Sequence, residues 1–281
     1  MDIERLGSPP TDSCLERIIE ENLPVVMPTP GWDGSGAARW TLESLEGRFS
    51  DLVLPIHYAD GVRFAETGEQ FHNATVSLEA SRYFEYLKGS SEFRRHLATV
   101  MNPALAARVS LYLQVSLRDG EGDDAHARLG RALLQDLPPL ALYASGGSSP
   151  DLFVALWIGA GGNITSCHRD GPHNLLSVIH GEKHLVLFSP DQADCLYEEL
   201  HVARDGEPDE SIYACSPVRV DDPDLERFPK FRDARPLSAT VRRGESLFLP
   251  SNWFHQVRSE GLNIAVSRWW SPDGVASDRA A

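Results

Sequence analysis

Hydrophobic positions recur with two different periods along this chain, and the change of period divides it. In the N-terminal third the helical period dominates. SCLERIIEENL carries a short helical pattern, and WTLESLEGRF places Leu42, Leu45 and Phe49 on one face. TVSLEASRYFEYLKG is predicted as a helix with Leu78, Tyr83 and Leu87 on one side, closed by Gly89 after Lys88. VVMPTP and DLVLPIHY read as extended, and RVSLYLQVSL alternates as a strand. LLQDLPPLALYA is a helix or turn segment broken by Pro138 and Pro139. From Asp151 onward the texture is that of short strands: LFVALWIG, NLLSVIHG, KHLVLFSP, ATVRRGESLFLP and NIAVSRWW, punctuated by Gly, Pro and Asn. Such a series predicts an all-β barrel or sandwich. The Gly-Glu centre of His180-Gly-Glu-Lys183 suits a hairpin turn. Between Gln192 and Pro236 the pattern loosens into an acidic, Pro-containing insertion, which at that length is functional or carries structure of its own. The tail SPDGVASDRAA is polar and small, and disorder is expected there.

Composition narrows the function classes. Of 281 residues, 42% are hydrophobic and 24% charged, an ordinary globular balance. The net charge of −15 repels phosphate backbones, so duplex nucleic acid is not expected as a partner. A basic peptide or a neutral small molecule suits that surface better. Cys14, Cys167, Cys195 and Cys215 form no C-x-x-C pair and are too few for a disulfide scaffold. No signal peptide or membrane-spanning run is read, so the expectation is a cytoplasmic protein without a membrane partner.

The candidate chemistry centres on His168-Arg169-Asp170 and on His255, 85 residues further on. On an extended strand the i, i+2 spacing puts two side chains on one face, and a second histidine on a later strand could complete a three-sided site. Two imidazoles and a carboxylate with open positions opposite are the facial triad of non-haem iron(II) oxygenases. An H-x-D tripeptide arises easily by chance in a chain with ten histidines. Context carries more: His168 follows a strand and a turn, and His255 follows the strand ending in LFLP. Protein kinases also contain H-R-D, but here Asn174 is four residues after Asp170 and no Gly-rich phosphate loop or D-F-G accompanies it. His173 and His180 read as supporting or surface residues rather than ligands. Cys167 reads as a small core residue on the opposite strand face from His168.

Five blocks in order carry a more specific signal. They are GNITSCHRDGPHN with its Thr-x-x-His-x-Asp-x-x-x-Asn pattern, GEKHLVLFSPDQADCLY, VDDPDLERFPKF, RRGESLFLPSNWFHQV and VSRWWS. Over roughly Arg108 to Pro272 the chain resembles the small JmjC-type hydroxylases, the cupin-like branch of the 2-oxoglutarate oxygenases. It is most similar to the subgroup holding the asparaginyl hydroxylase called factor inhibiting HIF and the small arginyl hydroxylases.

The resemblance implies a mainly β fold, a double-stranded β-helix (jelly-roll or cupin barrel) with N-terminal helices packed on it. The expected division is 1–105 for the N-terminal region, 106–272 for the barrel with the insertion 192–236, and 273–281 for the tail. It implies Fe(II), 2-oxoglutarate as cosubstrate and O2, and hydroxylation of an unactivated C–H bond, with a peptide or protein side chain as substrate. His168, Asp170 and His255 fall on the iron ligands. Lys183, Thr165, Tyr112, Asn174 and Ser267 fall on positions around the cosubstrate, Ser267 where some members have Asn. Gln114 and Trp269 are candidate substrate contacts. Nothing here matches the C-terminal helices with which the asparaginyl hydroxylase dimerises, so a monomer or a different dimer is expected. The alternatives are the same chemistry on a small molecule, N-methyl-lysine demethylation, and a metal-binding cupin that is not an oxygenase.

Overall fold

Runs of Val, Ile, Leu and aromatics too short for helices must pair their backbone groups with one another, and here they do so in one extended system. The computed structural model describes residues 2–49, 52–64, 75–100, 102–117, 125–138, 153–201 and 213–270; the expected disorder of the tail 273–281 lies outside them. Among the described residues there are fourteen strands: β1 Glu4–Arg5, β2 Val25–Pro28, β3 Val53–Asp60, β4 Arg63–Phe64, β5 Thr75–Glu79, β6 Val109–Ser116, β7 Phe153–Gly159, β8 Ile164–Arg169, β9 His173–Phe188, β10 Glu199–His201, β11 Tyr213–Cys215, β12 Leu237–Arg242, β13 Glu245–Leu249 and β14 Phe254–Trp270. The helices are α1 Asp12–Glu21, α2 Leu42–Phe49, α3 Ala80–Leu87, α4 Ser91–Val100, α5 Pro103–Ala106 and α6 Ala125–Asp136. The main path runs β1-β2-β13-β9-β14-β7-β6-β3-β5, with β8 also on β14 and β12 also on β9. This is the mainly β, cupin-like jelly-roll architecture expected from the sequence.

Two long strands hold it together. β9 and β14 pair antiparallel from Phe254 opposite Phe188 to Trp270 opposite His173. Both bend at a glycine, Gly181 (φ +74°) and Gly261 (φ +61°). The expected hairpin at His180–Lys183 is therefore not formed; the chain bends there and runs on as one strand. The first half of β9 pairs with β13 and the second half with β12, so one strand serves both faces of the barrel. Leu176 and Val178 from one half and Leu185 and Leu187 from the other meet in a single interior cluster with Val241, Leu247 and Trp253. A Cβ on Gly181 would lie 2.3 Å from the carbonyl oxygen of Leu262, which is why this position has no side chain.

The helices cover the outside. Leu45, Phe49, Tyr83, Phe84 and Phe93 from α2, α3 and α4 join β3, β6 and β7 in the largest apolar cluster. The helix expected over 75–89 begins only at Ala80. Thr75–Glu79 is instead the edge strand β5, with Leu78 opposite Leu54, because pairing with β3 outweighs the local helical spacing. α1 starts at an N-cap, Thr11, whose side chain accepts from the Cys14 N–H, and packs Leu15 and Ile18 onto Met27, Phe248 and Trp270. The insertion carries structure: β10 and β11 pair with each other, and β11 pairs with β8. Leu196, Ala193, Val220 and Phe231 from it pack on Cys167, Phe188 and Phe254 behind the metal-candidate strand. No helix among the described residues is long and apolar enough to cross a membrane, and all four cysteines are free.

The bend at Gly181 yields a prediction. Gly181→Ala combines a positive φ with a backbone clash and is expected to cost about 2–4 kcal/mol. The measurement is the urea midpoint, and an unchanged midpoint would show that the bend tolerates a side chain.

Candidate metal centre and adjoining polar pocket

β8 and β14 run antiparallel, and their register sets His168 directly opposite His255. The ring centroids are 4.1 Å apart. Each Nδ1 meets a backbone carbonyl two residues back, His168 with Ser166 at 2.8 Å and His255 with Trp253 at 3.1 Å. With Nδ1–H donating there, Nε2 carries the lone pair and faces the centre, which is how a metal-binding imidazole is oriented. Asp170 follows just after β8. Its Oδ1 is 3.9 Å from His168 Nε2 and its Oδ2 is 3.9 Å from His255 Nε2. Those gaps are too long for hydrogen bonds. One ligand atom from each of the three residues lies within 4.8 Å of the others, so the three tips surround a space that a metal ion could fill. Burial first, and the neighbouring His168 second, push the His255 imidazole down to about 4, while Asp170 and the Trp253 carbonyl act in the opposite direction. At neutral pH it is unprotonated, the form a metal needs.

The turn before β14 ties the two arms of the triad together. Asn252, at φ 64°, donates its N–H to the Asp170 carbonyl at 2.8 Å and accepts from Arg169 through Oδ1 at 2.6 Å. Ser251 donates its N–H to His173 Nδ1 at 3.0 Å and its hydroxyl to the Gly171 carbonyl. His173 is thus a buried support, packed at a tilt against Phe248 and Trp270, and lies outside the three-residue cluster. His180 is exposed. The carboxylate of Asp170 is further held by Trp269, whose indole N–H reaches Oδ2 at 2.9 Å. Trp269, expected as a substrate contact or as packing, therefore touches a member of the triad directly.

Lys183, fifteen residues after His168, is 2% exposed although it follows the bend of β9. Its Nζ donates to Tyr112 Oη at 3.2 Å and to Ser259 Oγ at 2.9 Å, leaving one N–H of the ammonium for another acceptor. Burial alone pushes the amine down to about 7. Tyr112 is buried, and desolvation raises its phenol, so it stays protonated and can donate. Its ring stacks on Trp157 at 5.5 Å. Trp157 in turn donates to Ser267 Oγ at 3.1 Å and lies 6.4 Å from the Trp269 ring. An unbroken line of side chains thus joins Lys183 to Asp170. Asn174 is 5% exposed, and its Oδ1 has no partner among the described residues. Gln114 is half-buried opposite Trp157, on the same strand face as Tyr112.

Thr165 reaches this face by an irregularity. It lies three positions before His168, so plain alternation would aim the two side chains oppositely. The pairing slips, however: His168 faces His255 and Thr165 faces Val257, so β8 spends one more residue than β14 between the two pairs. Such a bulge re-aims side chains and puts Thr165 on the face of His255. Cys167 falls on the other side, 1% exposed, against Phe188 and Phe254. Ser259 and Trp157 were not singled out from the sequence. Neither stands in a spaced motif, and only cross-strand register, Ser259 opposite Lys183, reveals them.

Comparison with known proteins adds a family to this geometry. Residues 11–274 match the model of the cupin-like domain. The chain is 34% identical over 152 residues to the bifunctional peptidase and (3S)-lysyl hydroxylase JMJD7 of Homo sapiens, covering 49% of the chain and 48% of that protein. It is 34% identical over 127 residues to lysine-specific demethylase 8 of Danio rerio, covering 44% and 29%. With lysine-specific demethylase JMJ30 of Arabidopsis thaliana it shares 32% over 215 residues, 75% of the chain and 43% of the relative. The chain thus spans less than half the length of each of these relatives.

Trp269→Phe keeps the ring and removes the N–H. It is expected to weaken metal binding about 10- to 100-fold, as loss of a ligand's supporting hydrogen bond does, with the urea midpoint little changed. Manganese(II) titration followed by electron paramagnetic resonance measures this; unaltered affinity would reduce Trp269 to packing.

Proposed function

The chain belongs to the cupin-like domain family, and on that premise we propose that it is an iron(II)- and 2-oxoglutarate-dependent dioxygenase hydroxylating an unactivated C–H bond of an amino-acid side chain in a peptide or protein. The observation that carries this reading is the pairing of two sites. A facial His-Asp-His triad stands at one end of a line of packed side chains, and a buried cation without a carboxylate partner among the described residues stands at the other. The donor set suits iron(II), since two neutral imidazoles and one carboxylate leave open positions. The pocket suits a dicarboxylate. A buried ammonium held only by hydroxyls favours an anion beside it, and the unpaired Asn174 Oδ1 marks a further polar position, whichever way its amide is turned. Iron with the 2-oxo acid supplies the activation of dioxygen that C–H hydroxylation requires.

The residues then take these roles. His168, Asp170 and His255 hold the metal, with Trp269 fixing the Asp170 carboxylate. Lys183, Tyr112 and Thr165 bind the distal carboxylate of the cosubstrate, with Ser259 orienting the ammonium. Asn174 and Ser267 border the cosubstrate between them. Phe153, Trp157 and Trp269, half-buried and mutually packed, keep water from the reacting centre and offer ring faces to a substrate side chain, with Gln114 beside them. A peptide substrate is supported by the relatives named for lysyl hydroxylation and lysine demethylation. It is also supported by a cleft of about 460 Å³ bordered by Asp194, Tyr197, Glu198, Glu199 and Phe228. That cleft includes Glu199 of β10, which pairs with β11, and β11 pairs with β8, so its carboxylates favour a basic, partly apolar segment alongside the insertion.

Purified protein supplied with iron(II) is expected to convert 2-oxoglutarate to succinate, and Asp170→Ala to abolish the conversion. Failure of turnover with every peptide and metabolite tried, together with zinc held in a closed tetrahedral site, would remove the oxygenase reading. Mass spectrometry of peptide libraries and metabolite extracts identifies the substrate: a product heavier by one oxygen marks hydroxylation, and one lighter by a methylene marks demethylation of a methylated lysine.

Lys183→Ala is expected to weaken 2-oxoglutarate binding about 100-fold while leaving metal affinity unchanged. The pH dependence follows from the free amine lying near 7. Below that value Lys183 is already charged and affinity is at its maximum. Above it, binding a carboxylate must take up a proton, so affinity falls about tenfold per pH unit. Calorimetry in buffers of different ionisation enthalpy reads that proton directly, and no uptake at pH 8 would contradict it.

A further inference from the structure

One buried side chain near the Tyr112 ring has no role among those assigned to the pocket. Asn163 stands just before β8 and is 3% exposed, and neither its Nδ2 nor its Oδ1 has a hydrogen-bond partner among the described residues. A primary amide carries two donors and an acceptor, and burying all of them unpaired is costly unless something else fills the space. Its surroundings identify that space. The Asn163 carbonyl accepts from the Ser259 N–H at 2.9 Å, and the hydroxyl of that same serine accepts from Lys183 at 2.9 Å. The Asn163 Oδ1 lies 3.0 Å from the point a Cβ on Gly159 would occupy, and the Tyr112 ring edge lies 2.9 Å from that point. The amide therefore sits beside the Tyr112 ring over a glycine that leaves it room. Thr165, two residues along the extended chain, shares its face.

We propose that Asn163 determines cosubstrate specificity: its Nδ2 donates to the distal carboxylate of the 2-oxo acid, beside the ammonium of Lys183. The inference rests on the 2-oxoglutarate reading above and extends it to a residue outside the triad and its charged partner. A carboxylate has two oxygens with about four lone-pair directions. The one free N–H of Lys183 and the hydroxyls of Tyr112 and Thr165 leave room for a further donor. Asn163 provides a neutral donor of fixed reach, so the pocket reads both the presence of a second carboxylate and its distance from the 2-oxo group.

The test is calorimetric binding of two ligands to the manganese(II)-loaded protein without turnover: 2-oxoglutarate, and 2-oxopentanoate, which ends in a methyl group instead of the second carboxylate. Asn163→Ala is expected to weaken 2-oxoglutarate about 10- to 100-fold, the effect of losing a hydrogen bond to a charged group, and to leave 2-oxopentanoate unchanged. Asn163→Asp, which sets a like charge against the ligand, is expected to weaken 2-oxoglutarate further. Unchanged 2-oxoglutarate binding in Asn163→Ala, or equal weakening of both ligands, overturns the proposal and leaves the cosubstrate reading standing. Wild-type protein that binds the two ligands equally overturns the cosubstrate reading itself, and the proposal with it. Manganese affinity and the thermal midpoint serve as folding controls, and Asn163→Ser, whose hydroxyl is too short to reach, replaces the alanine variant if that one does not fold.

Discussion

The antiparallel pairing of β8 with β14 is the constraint on which the site depends. Facing residues in such a pair stand only a few ångströms apart, and here the facing residues are His168 and His255. Their rings could not be brought so close, both with Nε2 inward, by residues on unconnected loops. The register does so because each strand is fixed elsewhere, β14 by its long pairing with β9 and β8 by β11 on its other edge. The slip between Thr165 and His168 adds a second consequence. It turns Thr165 toward the pocket while leaving Cys167 in the apolar layer behind, so one strand contributes to the triad, the polar pocket and the core.

Electrostatics divides the site into two unlike halves. Around the triad, burial and mutual proximity keep an imidazole neutral, and the carboxylate of Asp170 is held by a neutral indole donor rather than by a cation. The negative charge thus stays available to a metal. Around Lys183 the opposite holds: a cation is buried among hydroxyls, where the low local dielectric makes it hungry for an anion. The aromatic rings of Tyr112, Trp157 and Trp269 separate the halves, which keeps the cation from neutralising the ligand carboxylate.

The described parts of the insertion between Gln192 and Pro236 pack against the strands of the site. Phe231 and Leu196 seal the rear of β8, β9 and β14, and Arg169, next to the ligand His168, is tied to Glu198. The segment that borders the acidic cleft is therefore also the segment that stiffens the strand bearing His168.

Much of this was legible in the sequence. Strand-forming runs after Asp151 and the ordered blocks around His168 and His255 follow from residue types and spacing, because strand period and ligand chemistry are local properties; the place of Lys183 fifteen residues downstream came only from the family resemblance. Local spacing also misled. It made Thr75–Glu79 part of a helix, where pairing with β3 decides otherwise, and it made His180–Lys183 a hairpin, where two glycine bends let long strands continue. Only the tertiary structure decided that Lys183 is buried instead of solvated, that Thr165 faces the pocket despite its odd spacing, that Trp269 braces Asp170, and that Ser259, Trp157 and Asn163 belong to the same space. The reason is physical: each of these depends on which residue lies across a strand pair, and cross-strand register is set by packing and backbone pairing between segments far apart in the chain.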